Sequence, residues 1–206
     1  MSFGKPGRPP ENRIARQREI YEAVVPLIYR DGARRLSMRD AARTARLSVG
    51  GLYHYFPTKR DLVLHGLRGD ARDRLCQEYR ARIADLSGWS LDRYVGAYLN
   101  HSIRMFTFVR PAVWAALELG NEELQANLDA GLTANVGELV ESLCQVVPYV
   151  PERDLQALAR AIRRVALGAL IDRNAVLDET REQLRALIEG HALGAHRKGL
   201  AGSQAV

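Results

Sequence analysis

Residues 37–59 read SMRDAARTARLSVGGLYHYFPTK, and three helix starts can be placed within this short run. Ser37 is followed three residues later by Asp40, a capping box in which a hydroxyl and a carboxylate satisfy N–H groups that the first helical turn leaves without partners. Met38, Ala41, Ala42 and Ala45 then recur at the i, i+3, i+4, i+7 spacing that gathers small apolar side chains on one face, and such a face packs closely. The pattern breaks at Arg46 and Leu47. Ser48 can cap a second helix, on which Leu52 and Phe56, four apart, share the buried side. Pro57 disfavours helix at the residue before it and so ends the second helix, while Thr58 with Asp61 offers a third start.

Two short helices joined by a tight turn are the unit that sets a recognition helix into the DNA major groove. Ser37, Arg39, Ser48, Tyr53, His54, Tyr55 and Lys59 suit that use, because they are hydrogen-bond formers at helix starts or on the face left over once Leu52 and Phe56 turn inward. Gly50 and Gly51 are poor helix formers, at roughly 1 kcal/mol each relative to Ala. Close backbone approach to another surface would offset that. The pattern by itself also suits a compact helical corner with a polar outside.

The charge is unevenly placed. Net charge is +6, yet residues 1–60 hold 13 Lys and Arg against 5 Asp and Glu, or +8, and residues 61–206 hold 17 against 19, or −2. Positive charge thus coincides with the two short helices, as a phosphate-neutralising surface requires. No apolar run approaches the ~18 residues of a spanning helix. The start, MSFGKPGRPPENR, is basic but lacks the apolar stretch of a signal peptide, so a cytoplasmic protein is expected. Cys76 and Cys144 are too few for a disulfide framework and are expected to be buried free thiols. There is no Gly-rich phosphate loop and no nucleophile elbow, and His54, His65, His101, His191 and His196 do not pair at metal-ligand spacing. An enzyme, a metal site and a cofactor are therefore not expected.

The combination LSMRDAARTARLSVGGLYHYFPTKRDL, with its LYHYF core followed by Pro, a small polar residue and Lys, resembles the TetR family of bacterial transcriptional regulators. The resemblance covers about residues 13–67, and the remainder matches only as a helical bundle of the expected length. It implies a second helix over 37–45, a recognition helix over 48–56 and a phosphate contact at Lys59. Val49, Gly50 and Gly51 would stand where the family faces base edges, and none carries a hydrogen-bonding side-chain atom. Direct readout would then fall on Arg39, since Arg pairs with guanine O6 and N7, while Val49 can meet a thymine methyl. Ser37, Ser48, Tyr53, Tyr55 and Lys59 would hold the backbone, with His54 open between base and phosphate. Two departures stand out: Arg46 where the family usually has Gly in the turn, at a cost on the order of 1 kcal/mol, and Pro26 within the first helix, where a kink is expected.

Outward from this stretch, residues 1–12 form a basic arm expected to be disordered, with Gly7, Arg8 and Pro9 similar to an AT-hook core and with Lys5 and Arg8 placed for a minor groove. A first helix is expected over 13–31, ended by Gly32, and one long connecting helix over 59–86. Helices over 91–109, a shorter one opened by Pro111, and one over 122–147 follow. The aromatic middle suggests an effector site drawn from Trp89, Tyr98, His101, Met105, Trp114 and Glu118, although a Tyr, Phe and Met stripe equally suits plain core. A final pair over 153–171 and 179–196 carries the stripes Leu155, Leu158, Ile162, Val165 and Leu184, Leu187, Ile188. The resemblance implies a homodimer through that pair, although the stripes can equally close the monomer's own core. Residues 199–206 are expected to be a disordered tail.

The expected architecture is all-α: a three-helix helix-turn-helix DNA-binding domain over 13–67 joined by a long helix to an effector-binding and dimerisation bundle over 68–198. The expected function is a sequence-specific regulator, a repressor released from a palindromic double-stranded operator by a small-molecule effector. The alternative is a DNA-binding protein whose bundle docks another protein.

Overall fold

The structure, a computed structural model, describes residues 13–122 and 124–203. Its elements are α1 (Arg13–Arg35), α2 (Met38–Thr44), α3 (Val49–Tyr55), α4 (Lys59–Val63), a 3-10 turn (His65–Leu67), α5 (Gly69–Arg82), α6 (Leu91–Leu119), α7 (Leu124–Val146), α8 (Glu152–Ile171) and α9 (Leu177–Ser203). Among the described residues all regular structure is helical, and no helix is long and apolar enough to cross a membrane. The fold is thus all-α, a helix-turn-helix head followed by a helical bundle.

The three helix starts form as the sequence requires. Ser37 Oγ accepts from Asp40 N at 3.0 Å and Ser48 Oγ from Gly51 N at 3.0 Å. At Thr58 the box is complete, with Thr58 Oγ1 accepting from Asp61 N at 3.1 Å and Asp61 Oδ2 accepting from Thr58 N at 2.9 Å. Ser37 differs, because Asp40 Oδ2 accepts the Ser37 hydroxyl proton at 2.6 Å. Arg46 stands at φ 56, in the left-handed region expected of it. Around it Leu47 N donates to Ala42 O at 2.8 Å and Arg46 N to Arg43 O at 3.1 Å, a Schellman closure of α2 built without glycine.

Inward, Ile20, Tyr21, Val24 and Ile28 of α1 bury against Ala41, Ala42, Leu52, Phe56, Leu62 and Val63, and this core runs on into α6 without a break. Gly66 makes that junction tight: a Cβ there would lie 2.5 Å from Tyr21 Oη and 2.7 Å from Phe108 O. The residue is glycine because two helices meet over its backbone.

Five expectations change. The tail expected to be disordered over 199–206 is helical as far as Ser203, where α9 ends. The single connecting helix over 59–86 is instead α4, the 3-10 turn and α5, with Arg68 extended at φ −70 and ψ 137. Two weak helix formers, Gly66 and Gly69, flank the point where the chain bends around Tyr21. Pro111 does not open a shorter helix; α6 runs through it from Leu91 to Leu119. A proline leaves the carbonyl four residues earlier without its helical donor, and Tyr29 Oη reaches that carbonyl, Thr107 O, at 3.5 Å, while Tyr21 Oη donates to Phe108 O at 3.0 Å. The phenols of α1 thus occupy the gap. The non-helical dihedrals in α1 lie at Gly32 (φ 75, ψ 163) and not at Pro26, so the helix also resumes beyond Gly32 as far as Arg35. The free thiols are not buried: Cys76 is half-buried and Cys144 exposed.

The apolar stripes of α8 and α9 also take the second of their two readings. Leu155, Leu158, Ile162, Leu184 and Ile188 are buried in the chain's own core, with Val165 and Leu187 packed at its edge. The outer side of α8 is another set, Ala161, Val165, Gly168 and Ile171, at helical spacing and increasingly open toward Ile171.

Candidate nucleic-acid interface and effector cleft

The turn and caps just described leave one side of α2–α3 outward. Ser37, Arg39, Ser48, Val49, Gly50, Tyr53 and His54 are exposed, and Gly51, Tyr55 and Lys59 half-buried. Val49 and Tyr53, 40% and 46% exposed, are large side chains that the described residues do not cover. A Cβ on Gly50 would meet nothing within 4 Å, so no contact among the described residues requires glycine there, whereas one on Gly51 would press on the Ser48 cap at 3.1 Å. Among the described residues no side chain pairs with Arg39. Lys59 is arranged differently from a free phosphate contact: its Nζ donates to Arg34 O at 2.9 Å and Leu36 O at 3.1 Å, closing the end of α1. Lys5 and Arg8 lie outside the described residues.

Two residues that the sequence did not single out set the angle of α3. Arg13 Nη2 donates to His54 O and Gln17 Nε2 to Tyr55 O, each at 2.8 Å, so the last carbonyls of α3 are held by the first turns of α1. These pairs span 41 and 38 residues, and no spacing rule connects them.

The six effector candidates are not gathered into one site. Trp89 lies half-buried beyond the end of α5 with the Arg93 guanidinium 4.1 Å over its ring. Trp114 donates through Nε1 to Leu170 O at 3.1 Å, tying α6 to α8. Glu118 sits at the far end of α6 against the head: its Oε2 accepts from Arg34 N at 3.1 Å and its Oε1 pairs with Arg173. Burial alone would raise this carboxyl, but Arg173 and the amides of Arg34 and Ala33 outweigh it and hold it below the usual range. Arg34 also donates to Glu118 O at 2.8 Å, and Arg60 to Gly120 O at 3.1 Å. The end of α6 is therefore bonded to α1 and α4.

Of the six, His101 and Met105 line a largely apolar cleft enclosed by α5, α6 and α7, and Tyr98 is buried behind its wall. One part is a small cavity of about 50 Å³, lined chiefly by Leu67, Met105, Phe106, Val109, Leu128 and Leu132. A second part of about 130 Å³ shares Arg72, Met105, Gly131 and Asn135 with the first and adds His101 and Cys76. Tyr98 Oη donates to Asn135 Oδ1 at 3.0 Å on its wall. His101 stacks on Tyr79 at 4.3 Å, and burial, helped by Arg104 and Arg80, pushes its imidazole down to about 4. Arg72, Ser102 and Asn135 are polar lining that the aromatic pattern did not flag. Among the described residues no group of three His, Cys, Asp or Glu could hold a metal.

A capped, polar two-helix corner on a basic head defines a helix-turn-helix DNA-binding transcription regulator. Residues 20–65 match the family described as bacterial regulatory proteins, tetR family. It is 24% identical over 163 residues to the HTH-type transcriptional repressor KstR of Mycolicibacterium smegmatis, covering 78% of each chain. Among solved structures it is similar to a proposed TetR-family transcriptional regulator from Rhodococcus sp. (TM-score 0.56, 20% identity, 86% of this chain and 99% of that one). A proposed regulator from Pseudomonas aeruginosa PAO1 gives the same TM-score of 0.56 at 20% identity over 92% and 96%. These two likenesses establish the fold.

Proposed function

We propose that the chain is a ligand-responsive repressor, working as a homodimer that sets two copies of α3 into successive major grooves of a palindromic operator. The observation that carries this reading is the asymmetry of α3. Its inner side is fixed by Leu52, Arg13 and Gln17, while its outer side, from Ser48 to His54, faces outward. In that arrangement Arg39 reads guanine, Val49 meets a thymine methyl, Gly50 and Gly51 allow close approach, and Ser37, Ser48, Tyr53, His54 and Tyr55 contact the duplex. Lys59 keeps one donor beyond the two it gives to α1. Lys5 and Arg8 extend the contact into the minor groove.

The effector reading rests on the cleft with His101 and Met105, with Tyr98 behind its wall, and on the bonds from the end of α6 to the head. A ligand that favours one position of α6 also favours one position of α1 and α4, and the coupling is its differential affinity for the two states. For the dimer, the outer side of α8 from Ala161 to Ile171 is the surface free to meet a twin, which would set half-sites about 34 Å apart.

Selection of DNA by the full chain from a random pool, followed by titration of the winner at increasing salt, tests this. A palindrome whose affinity falls steeply with salt is expected. Arg39→Ala should lower the ratio of specific to random-sequence binding by about tenfold; an unchanged ratio removes Arg39 from readout.

A further inference from the structure

We infer that the cleft between α5, α6 and α7 takes a mainly apolar molecule ending in one anionic group, and that the Arg72 guanidinium meets that group. This rests on the reading of the cleft as the effector site and names the class of ligand for it. Three observations converge.

The first is the lining. Leu67, Phe106, Val109, Leu128 and Leu132 are all buried and offer a ligand no hydrogen bond, so the body of the occupant is apolar. The second is Ser102, 2% exposed on the cleft wall, whose Oγ has no hydrogen bond of good geometry among the described residues. The neighbouring Tyr98 hydroxyl, which gives its own proton to Asn135, holds that Oγ only weakly. A buried hydroxyl so held is costly, and a polar atom of a ligand would relieve it.

The third is Arg72. It is half-buried, lines both parts of the cleft and has no carboxylate partner among the described residues; its Nε donates to Arg68 O at 3.3 Å. The other charges at this mouth are accounted for. Glu138 pairs with Arg80, and Asp73 is exposed to solvent. The guanidinium rests on Gly131 of α7, where a Cβ would come within 2.7 Å of its Nη1. A planar, partly dehydrated guanidinium with open donors at the edge of an apolar space matches a carboxylate or a phosphate through paired hydrogen bonds. A neutral or cationic head would leave it unmatched.

Calorimetric titration of the full chain with decanoate, decyl phosphate, decanol and decylammonium tests the class. These share one apolar body and differ in the head. One or both anions should bind about tenfold or more tighter than decanol, and which of them is favoured separates a carboxylate from a phosphate ligand. Arg72→Gln, a change at the cleft edge and outside the core, should erase that preference while leaving decanol unchanged. Gly131→Ala, which displaces the guanidinium without removing its charge, should reduce it. Decanol binding as tightly as both anions, or a preference that survives Arg72→Gln, overturns the inference and leaves the cleft reading standing. Met105→Trp, which fills the cleft, should weaken every probe. If it weakens none, the ligands bind elsewhere and both readings fail. Silence from the whole set overturns the inference, and the cleft reading then stands or falls on operator release by other compounds.

Discussion

In the head, each of α2, α3 and α4 is closed by a side chain three residues from the group it satisfies: Ser37 with Asp40, Ser48 with Gly51, Thr58 with Asp61. In the bundle the decisive contacts cross much longer spans. Tyr98 meets Asn135 across 37 residues, Trp114 meets Leu170 across 56, and Arg110, buried in α6, donates to Asp172 O and Ala175 O across 62 and 65. The head presents its polar groups outward on helices that are closed locally, while Arg13 and Gln17 of α1 set the angle of α3 from a distance and the end of α6 braces α1 and α4. The bundle encloses its polar groups within a frame made of distant residues.

The sharpest way to break that contrast is at Gly66, where head and bundle meet. Gly66→Ala drives a Cβ into Tyr21 Oη and Phe108 O, and one of those is backbone that cannot swing aside. A loss of about 3 kcal/mol in urea unfolding is expected; a loss under about 1 kcal/mol would mean that the junction yields and that the head is more independent than it looks.

Acid tests the enclosed side of the comparison next. His65, packed edge-on against Tyr21 and Phe56, and His101, stacked on Tyr79, are each pushed down to about 4, by burial first and neighbouring arginines second. In the unfolded chain both titrate near 6.5. Between those values the unfolded chain binds more protons, so stability is full above about pH 6.5, falls as pH drops, and levels off near pH 4. Denaturant-derived stabilities from pH 7 to pH 5 should show a loss of about 2 kcal/mol for each histidine, about 4 kcal/mol for the pair. His65→Phe and His101→Phe should each flatten that slope. A slope untouched by both would assign it to carboxylates instead.

The caps should give smaller and separable effects. Thr58→Ala removes one half of a complete box and should cost about 1 kcal/mol, additive with Ser48→Ala because the two serve different helices. Strong non-additivity between them would show that the head does not rest on local closures. The smallest effect is expected at Gly50, where a methyl group meets nothing. Gly50→Ala should raise stability by about half a kcal/mol and weaken DNA binding, measured on the selected operator. Unchanged binding would show that no surface approaches that backbone.

The same contrast explains what the sequence could reveal. The three caps, the inward Leu52 and Phe56 and the left-handed Arg46 are properties of short windows, and they were legible. The break at Gly66 was not legible, because Tyr21 enters that space from far along the chain. Pro111 announced a helix start by local rules, and only the phenols of α1 explain why α6 continues. Of the six aromatic and polar residues drawn from the middle of the chain, His101 and Met105 share a cleft and Tyr98 supports its Asn135 from behind, while Trp89, Trp114 and Glu118 stand apart. Helical spacing shows which residues share a face of one helix and carries no information on which neighbouring helix that face will meet. Arg72 and Ser102 were silent for this reason, being ordinary residues on α5 and α6 until the two helices close on α7.

Pro111 separates where a contact is made from where it is written. Tyr29 and Tyr21 dock on the carbonyls of Thr107 and Phe108, which are backbone atoms present whatever side chains those positions carry. Replacing Thr107 or Phe108 would leave the acceptors in place. Replacing Pro111 would return a backbone donor to the helix, and the carbonyl that Tyr29 occupies would be claimed from within. The address of this joint between head and bundle is thus encoded one turn downstream of the joint, in a residue that forms neither bond.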